Sequence, residues 1–431
     1  MRHLAGLAAF LGATIAWAQP SPNPDDLYKR VRERVLADIT RLPNYTCVQT
    51  ITRSVNGNGS RNNRPPLCGE IIKERKDLKH DPPVLSWDRM RVDVAIVKGS
   101  EVYSWVGADK FDKTDVRQLV SQGQTSTGEF GSLVLSIFSD HPTMHFAGER
   151  KSGKQTLFEY TYQTPERISR YQVKVGFAAF TTAYEGSVFL DPDKNDLVRL
   201  TAKSAQLPEQ TGYCQSAREL DYGREHIRSD EALIPKEARV WVVNREGMEL
   251  LNVSSYSTCH EYVGESVLRF DDPDKVAVND AVASPAAAVK PSEPVLIPAG
   301  VPFDARIVTP IDTDTAAMGD PIQAVLRSSI VDRNGTTLAP AGASLRGRLM
   351  YFAGRTGRPG QGEIHEIGIQ FRWIELTGEQ MPFAANLAAS QGQSIRLNIK
   401  PGVGLFVFNG KRVRLDHIDA KWITMPEPSA N

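Results

Sequence analysis

Several short runs carry residue types that do chemistry elsewhere. Gly148-Glu149-Arg150-Lys151-Ser152-Gly153-Lys154 has the spacing of a phosphate-cradling loop, in which backbone N–H groups and a lysine hold a polyphosphate. The next residue is Gln155, where a Ser or Thr hydroxyl would bind magnesium, so the run reads as a hairpin tip. His260-Glu261 and His365-Glu366 begin like the His-Glu-x-x-His of zinc proteases, but Gly264 and Ile369 stand where the second histidine belongs. Asp140, His141 and His145 are metal-ligating types close in sequence. Pro142 interrupts the helical face that would converge them, and a polar turn is expected instead. A Gly-x-Ser-x-Gly nucleophile elbow is absent. No catalytic residue, metal ligand or cofactor is assigned.

Four cysteines, Cys47, Cys68, Cys214 and Cys259, form an even set. In an oxidising compartment they are expected to make two disulfides. A zinc site would need close Cys-x(2–4)-Cys pairs, and the chain has none. Sequence proximity favours Cys47–Cys68, which would pin the base of the 54–67 loop, and Cys214–Cys259; the other connectivities remain open. Arg355 and Arg358 lie in a basic, glycine-rich run, Gly354 to Gly362, that can meet an anionic surface such as lipid headgroups or a polysaccharide. The reading favoured over that contact is a hairpin tip kept soluble by its two arginines. Asn44, Asn58, Asn252 and Asn334 each begin an Asn-x-Ser/Thr pattern.

The elements that must position these residues follow from patterning. Residues 1–18 read as a cleavable export signal: Arg2 and His3, an apolar run from Leu4 to Ile15, then Ala16-Trp17-Ala18. The apolar run is shorter than the roughly 20 residues a spanning helix needs, and no later stretch supplies one. Asn23, Pro24, Asp25 and Asp26 open a helix over 23–42, with Leu27, Val31, Val35 and Ile39 on one face. Strands are expected at 44–53, 89–98, 101–106, 146–150, 156–162, 171–175, 181–190, 197–205, 219–222, 238–244 and 250–259, with a short helix near 130–138. Residues 271–294, rich in Ala, Pro and Ser, read as a linker between a domain at 19–270 and a second at 295–426, with a 427–431 tail. In the second domain, Leu296-Ile297-Pro298-Ala299-Gly300 is echoed by Leu338-Ala339-Pro340-Ala341-Gly342, each a turn that can feed a strand. The fold class expected is mainly β, α+β in the first domain: an antiparallel half-barrel-like sheet with a packed N-terminal helix, then a linker and a small β-barrel or sandwich.

Two family resemblances accompany this pattern. Tyr184 to Asp191 before Leu197-Val198-Arg199-Leu200, and Leu220 to Ile227 before Leu233-Ile234-Pro235, resemble the strand rhythm of LolA/LolB-like periplasmic lipoprotein carriers. That resemblance implies an antiparallel sheet wrapped around helices and an apolar ligand inside, without assigning any contact residue. Residues 295–350, with their two Pro-Ala-Gly turns, Thr313-Asp314, Gly319-Asp320 and Asp332-Arg333-Asn334-Gly335, resemble the β-barrel domain of TrbI-type type IV secretion channel-core proteins. Those proteins carry a membrane anchor in place of an export signal.

With 51 basic and 51 acidic residues among 431, the chain offers no net charge to attract nucleic acid, and none is expected as a partner. The function expected is that of an exported, non-enzymatic envelope protein, periplasmic or secreted, binding a lipid, a lipoprotein or another envelope component. A hydrolase using carboxylates brought together from distant positions and a structural part of an envelope assembly are the alternatives.

Overall fold

The structure, a computed structural model, describes residues 22–41, 44–57, 67–77, 82–97, 99–108, 111, 116–120, 123–125, 127–141, 143–175, 178–227, 230–262, 297–357, 362–390 and 397–426. The expected export signal at 1–18, the expected linker at 271–294, the 427–431 tail, most of the 54–67 loop and Arg358 lie outside them.

Helix α1 spans Pro24–Arg41. The Asn23 side-chain oxygen accepts the backbone N–H groups of Asp25 (2.9 Å) and Asp26 (3.3 Å), the cap its position suggests. Leu27, Tyr28, Val31 and Val35 form its buried stripe. Strand β1 (Tyr45–Asn56) follows, then α2 (Cys68–Asp77), β2 (Val84–Val97), β3 (Ser100–Trp105), α3 (Ser132–Asp140), β4 (His145–Ser152) and β5 (Gln155–Thr164). After them come β6 (Gln172–Val175), β7 (Ala178–Thr181), β8 (Tyr184–Asp191), β9 (Asp196–Ser204), β10 (Tyr213–Ile227), β11 (Asp230–Asn244) and β12 (Glu249–Glu261). The strand expected over 181–190 is two. β7 folds back on β6, and Thr182 donates its N–H to the Tyr171 carbonyl before β8 begins.

Apart from the β6–β7 hairpin, these strands form one antiparallel sheet in the order β3-β2-β1-β12-β11-β10-β9-β8-β5-β4. Helices α1 and α3 fill its concave side. Tyr28 stacks on Phe138 at 6.1 Å and lies 5.4 Å from Tyr160, and Leu27, Val31, Val134 and Ile137 share one buried core with Val94, Val188 and Leu200. This is the antiparallel sheet with a packed N-terminal helix of the sequence expectation.

The second unit comprises β13 (Pro302–Ile307), β14 (Ile311–Asp312), β15 (Pro321–Leu326), β16 (Ile330–Val331), β17 (Thr337–Ala339), β18 (Ser344–Thr356), β19 (Glu363–Leu376), β20 (Glu379–Pro382), β21 (Ala385–Ser390), β22 (Leu397–Lys400), β23 (Val403–Asn409), β24 (Arg414–Leu415) and β25 (Ile418–Thr424). Its main strands pair in the order β21-β25-β13-β15-β18-β19-β23-β22. Both Pro-Ala-Gly turns precede strands, with Gly300 and Gly342 at φ 86° and 89°, where an L side chain is strained. Trp422 is fully buried at the centre, 4.7 Å from the Phe371 ring. At Gly404 a Cβ would stand 2.7 Å from Leu387 Cβ and 2.8 Å from Trp422, so this glycine lets β23 cross close over β21 and β25 and curl the sheet toward closure.

The two sheets are continuous. β2 pairs with β18 through Asp88–Ala353, Trp87–Gly354 and Ser86–Arg355. Met90 and Met318 form a parallel bridge, in which Arg91 N–H donates to Met318 O and Met318 N–H to Arg89 O, both at 2.8 Å. The Arg89 guanidinium donates to the carbonyls of Thr313, Asp314 and Ala316, and Arg91 pairs with Asp320.

All four cysteines are in disulfides, but not in the pairs that proximity favours. The bonds are Cys47–Cys259 and Cys68–Cys214, across 212 and 146 residues of chain. The reason is topological. β1 lies beside β12, and a bulge between Thr46 and Val48 sets Cys47 against the end of that strand. Cys68 opens α2, which sits over β10 with Ile71, Cys214 and Val243 in a small separate apolar cluster.

Candidate binding cleft

Cross-strand register brings polar residues from distant parts of the chain into line on the concave face. Directly paired residues in an antiparallel sheet share a face. One row therefore runs Asn252, Arg53, Asp88, Ala353, Glu366 across β12, β1, β2, β18 and β19. The next row runs Leu250, Val55, Ser86, Arg355 across the first four of these strands. Together they floor a cleft of about 230 Å³ that both sheets build, walled by Gly123, Gln124 and Tyr351.

Arg53 is the fixed point. Its side chain is 8% exposed, and its Nε and Nη2 donate to the two Asp88 oxygens at 2.7 and 2.6 Å. Such a planar, two-point pair holds both groups in one orientation. Gly123, at φ 87°, passes so close that a Cβ there would lie 2.5 Å from Arg53 Nη1. Asn252 donates to the Gln124 carbonyl at 2.9 Å, which ties the wall to the floor. The Gln124 side-chain oxygen is itself buried and has no hydrogen-bond partner. On the other side, Tyr351 donates to Glu366 at 3.3 Å, and Arg355 Nε lies 3.6 Å from the same carboxylate. Burial, and then Glu366, push the Tyr351 hydroxyl above its ordinary pKa, so it stays a donor.

A second polar group lies deeper under the sheet. The Glu101 carboxylate accepts from Tyr103 Oη at 2.7 Å, from the Gly128 N–H at 3.0 Å and from the Phe130 N–H at 3.4 Å. Burial, and then the neighbouring Glu129, push its pKa up to about 7. Gln49 donates to Tyr256 Oη at 3.2 Å, while the Tyr45 hydroxyl and Gln49 Oε1 are buried without partners. Glu101 thus anchors the segment that leads into α3, and it does not line the cleft.

The sequence motifs fall elsewhere. Gly153-Lys154 turns the β4–β5 hairpin between the paired Ser152 and Gln155, one residue on from the expected Ser152-Gly153 turn, so the incomplete phosphate motif is a hairpin tip. His141 Nε2 lies 2.7 Å from Thr164 Oγ1, and Asp140 takes Ser136 and Arg170 as partners; among the described residues no three His, Cys, Asp or Glu side chains group as metal ligands. His260 contacts the Thr258 carbonyl, and His365 is buried in β19 against the Gly410 carbonyl. Asn252, a glycosylation-type asparagine in sequence, is buried. Arg355 lies in the cleft. Arg53, Asp88, Gln124, Tyr351 and Glu366 escaped the sequence reading because no local spacing relates them. The usable signal is a charged residue at one position of an otherwise apolar alternation, as at Arg53 between Ile51 and Val55.

No family model matches the chain, and no curated protein does, so neither the lipoprotein-carrier nor the TrbI-type family is shown for it. Among solved structures it is similar to a DUF1329 family protein from Desulfovibrio piger, at 11% identity over 58% of this chain and 99% of that one, with a TM-score of 0.25. A superposition of that quality fixes neither fold nor role.

Proposed function

We propose that this is an exported, non-enzymatic envelope protein, periplasmic or secreted, which uses the cleft between its two β units to bind another component of the envelope. In this reading residues 1–18 direct export, 19–270 and 295–426 are the two units, and 271–294 joins them. The two disulfides support an oxidising compartment. Among the described residues no helix is long and apolar enough to cross a membrane.

The observation that carries the reading is the row from Asn252 to Glu366, in which both units supply side chains to one concave site. Ligand sites favour such junctions. At about 230 Å³ the cleft falls below the roughly 300–1,000 Å³ that encloses a whole small ligand, so it suits a protruding part of something larger. A lipid chain under the sheet would have to displace the apolar stripes of α1 and α3, which already occupy that volume. The hydrolase reading draws on Asp88 and Glu366 lining one cleft. Each is already engaged by an arginine, at 2.6 and 3.6 Å, which fixes its orientation on the cleft floor.

Native mass spectrometry of full-length protein purified from an envelope fraction, without reductant, tests the proposal. The expected result is a disulfide-intact species found in that fraction with a bound envelope component. Recovery from the cytoplasm with four free thiols overturns it.

A further inference from the structure

We infer that the cleft recognises one neutral sugar residue of an envelope glycan; this rests on the binding role proposed above and names its ligand class. Four charges line the cleft, Arg53 with Asp88 and Arg355 with Glu366, and they cancel in pairs. An anionic ligand would meet the Asp88 or Glu366 carboxylate beside each arginine, whereas a neutral ligand meets no such repulsion. The Asp88 and Glu366 carboxylates and the half-exposed Arg355 guanidinium still offer hydrogen-bonding atoms along their edges, since each carboxylate oxygen has two acceptor sites and a guanidinium five N–H donors. Groups of both kinds, fixed and side by side, complement hydroxyls, which donate and accept at once.

Two further features narrow the choice. The buried Gln124 side-chain oxygen lacks a donor, and an unmet acceptor in such a place is unfavourable until a ligand hydroxyl or N–H reaches it. Leu250, Val55 and Ala353 supply apolar surface beside these groups, matching the C–H face of a sugar ring. An extended peptide is disfavoured because no strand edge at the cleft is free for it. β2 is paired with β1 on one side and with β3 and β18 on the other, and β18 with β19 on one side and with β15 and β2 on the other.

The test is calorimetric titration of the full-length, oxidised protein with cellotetraose and chitotetraose, and with a sulfated tetrasaccharide as the anionic arm. At least one neutral chain is expected to bind with a dissociation constant below about 1 mM, changing little between low and high salt. Gln124→Leu, on a partly exposed wall segment, is expected to weaken that binding about tenfold, the effect of losing one buried hydrogen bond. Tyr351→Phe, which keeps the ring, serves as the second variant and is expected to weaken it severalfold. Binding by the sulfated chain alone, binding by none, or neutral binding unchanged in both variants overturns the inference. A cleft that ignores these sugars yet retains a non-glycan envelope component sinks this inference and leaves the envelope-binding role standing.

Discussion

At the residue scale, two buried ionic groups behave in opposite ways. The Arg53–Asp88 pair is made of opposite charges in two-point contact and holds the cleft floor. Arg53→Leu is expected to cost about 3 kcal/mol in urea unfolding, the low end for breaking a buried pair, because 27% of the Asp88 side chain stays exposed. Glu101 instead sits where burial and Glu129 disfavour its charge. A carboxyl whose proton affinity is raised by folding contributes stability that is fully present below its ordinary range near 4.5 and is lost as pH rises through about 7. The melting temperature of the protein is therefore expected to fall between about pH 5 and pH 8, and Glu101→Gln to flatten that slope. A slope unchanged by the substitution would place the titration on another group. Neither pair is legible in sequence. Arg53 and Asp88 are 35 residues apart, and only strand pairing makes them neighbours.

At the element scale, what the sequence shows depends on distance along the chain. The Asn23 cap, the α1 stripe, the β2–β3 and β4–β5 hairpins and both Pro-Ala-Gly turns are local, and each is where patterning puts it. Helix α2 is also local, but Gly69 and a run of charges mask it in the sequence. Its signal is Glu70, three residues after Leu67, whose carboxylate accepts the Leu67 N–H at 2.9 Å. The disulfides follow from pairings that no local pattern encodes, since β1 reaches β12 across some 200 residues. Closing loops of that length constrains the unfolded chain more than the short loops favoured by proximity, about 5 kcal/mol per bond by loop entropy taken singly. Non-reducing peptide mapping should yield Cys47–Cys259 and Cys68–Cys214 as the linked pairs, and replacing Cys68 and Cys214 with Ser should lower stability by about 2–5 kcal/mol. A Cys47–Cys68 peptide would contradict the strand order described above.

At the scale of the whole molecule, the feature that organises the rest is the continuity of the two sheets. Composition marks a break at 271–294, yet strands on either side of it are hydrogen-bonded to each other. Gly319 is the tightest point of contact. At φ 99° its Cβ would lie 2.3 Å from the Arg91 carbonyl and 2.6 Å from the Trp105 ring. Gly319→Ala is expected to cost at least about 1–3 kcal/mol through backbone strain alone, and to speed hydrogen exchange at the Arg91 and Met318 amides while leaving the β10–β11 hairpin protected. Equal loss of protection in both regions would mean that the two units unfold as one. The row of side chains that builds the cleft exists only because this seam is closed.

The most direct test of that account is photocrosslinking in the envelope from a reactive side chain placed at Tyr351, inside the cleft, compared with one at Lys151, on the exposed β4 edge. A cleft that binds an envelope component should give a discrete crosslinked product from position 351, lost on Gln124→Leu, and none from position 151. No product from position 351, or the same products from both, would contradict a binding role for the cleft.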